Sequence, residues 1–303
     1  MRREGRTRLH DTKRGNAMQL TNPTEIKALL NRHGFRFSKA MGQNFLTAAW
    51  VPERIAQETA PDDGTGVLEV GPGIGCLTAE LSRRAGKVVA VELDERLRPI
   101  LAETLSGCAN VELVFGDVLK LDLPALVRER LAGLRPVVCA NLPYNVTSPL
   151  LAAFLEAGCF EEITVMVQRE VAHRLCAKAG TAEYGAFTVF TQWHAEPEIL
   201  FDVAPGCFLP APKVTSSVVR LRVRTAPPVA VTDEKLLFAV VRAAFNQRRK
   251  TLVNALSSGL PEFGKETIAA AVERCGFDAR IRGEALDLAG FAAVADALRK
   301  SDK

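Results

Sequence analysis

The sequence predicts an α/β fold: a mostly parallel sheet with helices on both faces and an antiparallel edge strand, followed by a small all-helical C-terminal domain. Three observations carry this. From residue 66 onward, short apolar runs alternate with segments of helical period, the pattern of a parallel sheet. Near residue 196 the alternation stops, and two strand-like runs follow with no helix-length segment between them. After Ala226-Pro227-Pro228 every periodic segment is helical. With 303 residues, 48% of them hydrophobic, the chain can bury a sizeable core in one large or two ordinary domains.

The elements follow in order. Residues 23–33 read as a short helix ended by Gly34, and 51–60 as a second with Pro52 in its first turn. Strands are expected at Val67–Val70, Val88–Val91, Val111–Phe115, 136–140 and 162–167, each an apolar run of strand length. Helices are expected between and after them at 75–85, 94–105, 123–132, 148–157 and 170–178. Ile199–Val203 and Ser217–Val223 read as a hairpin-like edge. The last helices fall near 233–245, 248–257, 265–274 and 285–299, separated by Gly259, Pro261, Gly276 and Gly283. The domain boundaries expected are 1–20 for a flexible basic tail, 21–226 for the α/β domain and 227–303 for the helical one.

Charge is unevenly placed. The formal net charge is +4, and residues 1–16 hold six basic side chains against Glu4 and Asp11, which leaves the rest neutral overall. Nucleic-acid contacts by the folded body must therefore come from local basic patches. The tail reads as an RNA-contacting arm, an extension without a role, or a product of start-site choice, with Met18 as the alternative start. The 7 cysteines form no C-x-x-C pair and read as reduced, buried thiols of a cytosolic protein. His10, His33, His173 and His194 lack metal-ligand spacing, so no metal is expected. No apolar run approaches the roughly 18 residues of a membrane span, so the expectation is a cytoplasmic protein without membrane attachment.

Three strand ends carry candidate ligand chemistry. Glu69-Val70-Gly71-Pro72-Gly73-Ile74-Gly75 joins a strand to a helix, and its glycines let backbone approach a ligand closely. Its G-x-G-x-G spacing differs from the dinucleotide fingerprint, and Glu69 would repel a pyrophosphate while favouring a sulfonium or ammonium. Glu92 ends the next strand, 21 residues beyond Gly71, where an acid accepts from ribose hydroxyls. Leu93 is placed to cover an adenine face, and Asp117, with Val118 beside it, to accept from the adenine amine. Three acids at three successive strand ends match the ribose, adenine and aminoacyl cation of S-adenosylmethionine. Asn141-Leu142-Pro143-Tyr144 then ends the strand 136–140. An amide with free carbonyls beside a flat ring suits an exocyclic base amine that must be held and stacked, and so points to methyl transfer onto that amine.

These motifs, with Gly42-Gln43-Asn44-Phe45-Leu46, Phe208-Leu209-Pro210-Ala211-Pro212-Lys213-Val214 and Ala244-Phe245-Asn246-Gln247-Arg248-Arg249-Lys250-Thr251-Leu252, closely resemble the rRNA adenine N6,N6-dimethyltransferase family, bacterial small-subunit type, from about residue 21 onward. The resemblance implies a Rossmann-like class I methyltransferase sheet and S-adenosylmethionine as cofactor. It implies that Asn44 and Leu46 touch the cofactor together with Gly71, Glu92, Asp117 and Asn141, and that Tyr144 and Phe208 sandwich the target adenine. It also implies two adjacent adenines in the 3′-terminal hairpin loop of small-subunit rRNA, in a pre-30S particle, as acceptors, with a monomeric enzyme. Three competitors are weighed: a large-subunit rRNA methyltransferase of the macrolide-resistance type, a ribosome-assembly factor acting mainly by binding, and an NAD-dependent reductase, which the glycine spacing and the absence of a proton donor disfavour. For the chemistry, the side-chain oxygen of Asn141 and the carbonyl of Leu142 accept the amine hydrogens, and Pro143 fixes the turn. Lys39, Lys213, Arg248, Arg249 and Lys250 are expected to meet RNA phosphates.

Overall fold

The computed structural model describes residues 18–38 and 42–301. Most of the expected basic tail, residues 1–17, and Lys39 lie outside the described residues. The elements run α1 (Pro23–Arg32), β1 (Phe45–Leu46), α2 (Trp50–Thr59), β2 (Thr65–Val70), α3 (Cys76–Ser82), β3 (Lys87–Glu92), α4 (Arg98–Thr104), β4 (Val111–Phe115), α5 (Leu123–Arg130), β5 (Arg135–Asn141), α6 (Thr147–Glu156), β6 (Glu162–Gln168), α7 (Arg169–Leu175), α8 (Ala186–His194), β7 (Ala195–Val203), β8 (Phe208–Leu209), β9 (Ser216–Val223), α9 (Glu234–Asn246), α10 (Leu252–Gly259), α11 (Lys265–Arg274) and α12 (Leu288–Ser301). Local chemistry sets several boundaries. Asn22 Oδ1 accepts from the Thr24 and Glu25 amides at the start of α1, with Pro23 as its first residue. Asp94 caps a single 3₁₀ turn, Glu95–Leu97, and Pro99 stands in the first turn of α4, so the expected helix at 94–105 divides in two.

Seven strands form the main sheet in the order β4-β3-β2-β5-β6-β9-β7. β4, β3, β2, β5 and β6 are parallel neighbours, while β9 enters antiparallel between β6 and β7. The β7–β9 pair is the antiparallel edge expected from the sequence. Strand order reverses between β2 and β5, so a crevice opens at their carboxyl ends. Alternate residues of each strand serve opposite faces. Leu68, Val70, Val89, Val91, Val138, Ala140, Ile163 and Val165 pack with α5, α6 and α7 on one side. Val67, Val88, Val137, Cys139 and Met166 pack with α2 and α3 on the other. Burial on both faces explains why these strands read as unbroken apolar runs.

One helix escapes the sequence reading. α8 is rich in β-branched and aromatic residues, which favour strand, yet it is helical. Tertiary packing decides the matter. Val189 and Trp193 enter the core of the C-terminal helices, together with Ala177 and Tyr184. That core therefore reaches back across residue 226. Arg248 reinforces the junction: its guanidinium donates to the carbonyl of Ala182 at 2.6 Å and pairs with Glu284 at 2.9 Å, and the Gly180 amide donates to the Glu284 carbonyl at 2.7 Å.

Two outcomes test this junction. Trp193→Ala is expected to cost about 3–5 kcal/mol of global stability, the range for deleting a large buried aromatic, measured by denaturant titration. A chain cut after residue 226 should bind a hydrophobic dye and melt below the full chain, because Tyr184, Val189 and Trp193 lose their cover.

Candidate active site

The register of β2 against β5 builds the site. Val70 pairs with Ala140, so the loops leaving the two strands, Gly71 onward and Asn141 onward, emerge side by side. Val91 pairs with Val70 and Phe115 with Glu92, which adds Glu92 and Asp117 along the same edge. A cavity of about 270 Å³ opens there. Asn44, Leu46, Glu69, Gly71, Gly73, Glu92, Leu93, Asp117, Val118 and Asn141 all line it, as do Leu142, Pro143 and Tyr144.

The half of the cavity beside the glycine loop is acidic. Gly73 has φ +61°, and a Cβ there would stand 3.1 Å from the Phe45 ring, so a side chain at this position would be strained and would crowd Phe45. A Cβ on Gly71, at φ +72°, would meet no protein atom within 4 Å, which leaves that backbone open to a ligand. Glu69 is 1% exposed, and its Oε2 has no hydrogen-bond partner among the described residues. Burial pushes its pKa up to about 8; the Thr78 hydroxyl opposes this and the Glu92 carboxylate adds to it. An orphaned, buried carboxylate bordering a cavity fits a ligand that brings its own positive charge. Glu92 is also buried, and desolvation raises its pKa against backbone donors. It accepts from the Asp94 amide at 2.8 Å and the Gly73 amide at 3.2 Å. A carboxylate offers about four lone-pair positions, so acceptor capacity remains for a pair of hydroxyls. Asp117 caps the following turn, accepting from the Leu119 amide at 3.1 Å with one oxygen. Leu93, 56% exposed, gives the rim an apolar surface.

The other half is organised by one amide. Asn141 Nδ2 donates to the backbone carbonyl of Asn44 at 3.2 Å. A carbonyl only accepts, so the amide turns its nitrogen toward Asn44, and Oδ1 takes no hydrogen bond from a described residue. The Leu142 amide donates to the Met166 carbonyl at 3.1 Å, tying the loop to β6. The carbonyls of Pro143 and Tyr144 receive the Thr147 hydroxyl, whereas the Leu142 carbonyl takes no hydrogen bond from a described residue. The Tyr144 hydroxyl is 2.7 Å from Ser216 Oγ on β9, which anchors the ring at the cavity wall.

Several expected residues lie elsewhere. Gly75 does not line the cavity; it precedes α3, and a Cβ there would stand 3.0 Å from Leu105, so its role is close packing against α4. Phe208 is 4% exposed and sits in the core with Val51, Val203 and Val218. Pairing of β8 with β1, Leu46 opposite Phe208, holds that ring in the core and away from the cavity. The expected sandwich thus has only its Tyr144 side in this conformation. Arg248 is engaged by Ala182 and Glu284 and acts at the domain junction. Lys213, Arg249 and Lys250 are exposed. The Leu252 amide bonds the Ile281 carbonyl at 2.7 Å, which brings exposed Arg280 and Arg282 to the same end of the helical region as Arg249 and Lys250. Sequence reasoning missed this convergence, because the two segments are some thirty residues apart. It also passed over Asp94, which lines the cavity and is paired with Arg96 at 2.6 Å. A charged residue one position beyond the Leu93 already chosen was the available signal.

Glu69 makes stability depend on pH. Its folded pKa of about 8 exceeds the unfolded value of 4.5, so the ligand-free protein holds the proton that the unfolded chain gives up. Its contribution is fully present below about pH 4.5 and is lost as pH rises through about 8. Melting temperature of the free protein should fall over that window, and Glu69→Gln should flatten the slope. An unchanged slope in the variant would contradict the assignment.

The sequence profile described as Ribosomal RNA adenine dimethylase matches residues 34–276. The chain is 47% identical over 283 residues to the Ribosomal RNA small subunit methyltransferase A of Geobacillus thermodenitrificans, covering 92% of this chain and 97% of that one. Against the protein of the same name from Alkaliphilus metalliredigens the identity is 43%, with coverage of 91% and 96%. Among solved structures, the 23S rRNA methyltransferase ErmE is 30% identical with a TM-score of 0.64, covering 84% of this chain and 100% of its own. A dimethyladenosine transferase from Plasmodium falciparum shares the fold, with a TM-score of 0.71 at 23% identity. With a profile match over most of its length and relatives of this identity along nearly all of it, the chain belongs to the ribosomal RNA adenine dimethylase family.

Proposed function

We propose that this chain is an S-adenosylmethionine-dependent enzyme that dimethylates N6 of adenine in small-subunit rRNA. The observation that carries the reading is the Asn141 amide, whose nitrogen is held by the Asn44 carbonyl and whose oxygen takes no hydrogen bond from a described residue, at the edge of a cavity rich in acidic groups. The small-subunit relatives, at 47% identity along 92% of the chain, favour that subunit over the large one. The finer reading is that the acceptors are two adjacent adenines of the 3′-terminal hairpin loop, presented by a pre-30S particle to a single copy of the enzyme in the cytoplasm. Residues 21–226 form the methyltransferase domain in this reading, and 227–303 the helical RNA-binding domain.

When bound, S-adenosylmethionine supplies a methyl group on a positively charged sulfur. Glu69 would face its aminoacyl cation, Glu92 its ribose hydroxyls and Asp117 its adenine amine. Asn44, Leu46, Gly71, Gly73, Leu93 and Val118 would complete the enclosure. On the acceptor side, Asn141 Oδ1 and the Leu142 carbonyl take the two N6 hydrogens. The nitrogen lone pair, otherwise delocalised into the purine, is thereby directed toward the methyl group. The bound cofactor would give up its methyl group with the bonding pair remaining on sulfur, and the methylated amine would lose its proton to water, so Asn141 and Leu142 act by holding the amine and no general base is required of the protein before attack. Positioning of this kind supplies roughly 7–11 kcal/mol of a barrier. Tyr144 offers a stacking surface, worth about 1–3 kcal/mol per base. The methyl acceptor must leave its RNA stack to reach this depth.

The deciding experiment is labelled methyl transfer to 30S and 50S particles lacking native modification, followed by nucleoside mass mapping. N6,N6-dimethyladenosine in 30S rRNA is expected; label confined to 50S would replace this reading with the large-subunit one. Asn141→Ala should lower the rate about a hundredfold or more while sparing affinity for S-adenosylhomocysteine within a few-fold. Glu92→Ala that still supported subunit assembly at full level in cells would favour a binding role. Replacing Arg249 and Lys250 by Ala should weaken RNA binding and reduce the slope of log affinity against log salt by about 1 for each phosphate no longer neutralised.

A further inference from the structure

The segment 42–45 lines the cavity and touches three of the loops around it. Gly42 packs on the acceptor loop, where a Cβ would stand 3.3 Å from Pro143 Cβ. The Asn44 carbonyl receives Asn141 Nδ2 at 3.2 Å. The Phe45 ring lies against Gly73 of the glycine loop. Gln43 makes the fourth connection. Its Oε1 accepts from the Ser38 amide at 3.0 Å, and its Nε2 donates to Asp94 Oδ2 at 2.8 Å. Asp94 in turn donates its backbone N–H to Glu92 Oε1 at 2.8 Å. Hydrogen bonds and the covalent backbone thus link Glu92 to Asn141: the Asp94 N–H binds Glu92, the Asp94 carboxylate binds the Gln43 side chain, and Gln43 is the covalent neighbour of Asn44, whose carbonyl receives Asn141.

The chemistry at position 43 is demanding. One side chain must accept from a backbone amide and donate to a carboxylate in the same pose. Arg96, bound to both oxygens of Asp94 at 2.8 and 2.6 Å, holds that carboxyl in its ionised form, below the usual carboxylate range. Only a donor can approach the carboxylate. A glutamate at 43 would keep the acceptor arm and lose the donor arm; an asparagine would be too short to keep both.

Resting on the reading of the site given above, we infer that Gln43 is a positioning residue for methyl transfer: it ties the ribose-side loop to the acceptor amide, so that a ligand held at Glu92 also steadies Asn141. Gln43 reaches no reacting atom itself. Its effect is on the alignment of Asn141 Oδ1, which is set one residue away.

A swap of polarity tests this. Gln43→Glu, Asp94→Asn and the double variant are compared with wild type in two measurements: S-adenosylhomocysteine affinity by calorimetry, and the single-turnover rate of methyl transfer to unmodified 30S particles at saturating S-adenosylmethionine. Gln43→Glu should weaken S-adenosylhomocysteine binding and slow single turnover about ten- to a hundredfold even at saturation, since misplacement of a reacting group by an ångström costs that much. Adding Asp94→Asn restores a donor facing an acceptor, and the double variant should recover to the level of Asp94→Asn alone. Melting temperatures of all four establish that each is folded. A Gln43→Glu rate equal to wild type at saturation, or a loss that Asp94→Asn fails to relieve, would overturn the inference. The affinity measurement needs no RNA: absence of the swap pattern there overturns the role of Gln43, whereas a wild type that leaves adenine N6 unmethylated overturns the proposed function instead.

Discussion

Everything at this site depends on the lateral pairing of β2 with β5. Had those strands not become neighbours, the glycine loop and the Asn141 loop would be two unrelated turns. The pairing is an ordinary parallel ladder, Thr65 opposite Arg135 through Val70 opposite Ala140. It is also the point at which strand order reverses, so no helix covers the carboxyl ends there. A cavity walled on one side by acids and on the other by a polar amide results from topology before any particular side chain is considered.

Within that frame, burial and hydrogen bonding divide the labour among similar groups. Glu69 is buried, its Oε2 has no hydrogen-bond partner among the described residues, and desolvation raises its pKa. Glu92 is partly satisfied by backbone N–H groups, so it keeps its place while offering spare lone pairs. Asp94, two residues further on, is bound by Arg96 and stays charged. Burial thus raises the pKa of Glu69 and Glu92 while Arg96 lowers that of Asp94, so water access and the donors within reach separate carboxylates that line one cavity. Asn141 illustrates the same logic for a neutral group: its orientation follows from which neighbour can only accept.

The C-terminal helices are not an appendage. Their core takes in Tyr184, Val189 and Trp193 from the chain before residue 226. Arg248 commits its donors to that junction. Arg249 and Lys250, with Arg280 and Arg282, are exposed in this helical region, which shares a core with residues preceding the boundary at 226.

Much of this was legible in the residues. The strands announced themselves as apolar runs because both sheet faces are buried, and the three acids at strand ends, with Asn141 and Tyr144, were identifiable from their place after those runs. Leu93 and Asp117 followed from the same spacing. Other features depended on partners distant in sequence. α8 is helical because a core assembled from residues 237–298 accepts its Val189 and Trp193. Phe208 is drawn into the core by pairing of a two-residue strand with Leu46, which no periodicity reveals. Arg248 and Arg249 look alike in sequence and differ only in whether Glu284 and Ala182 stand opposite. Sequence determined which groups were available and where each strand would deliver them; the tertiary structure decided which would be buried, which would find a partner, and which would stay free, because those outcomes rest on contacts between segments that the chain itself keeps far apart.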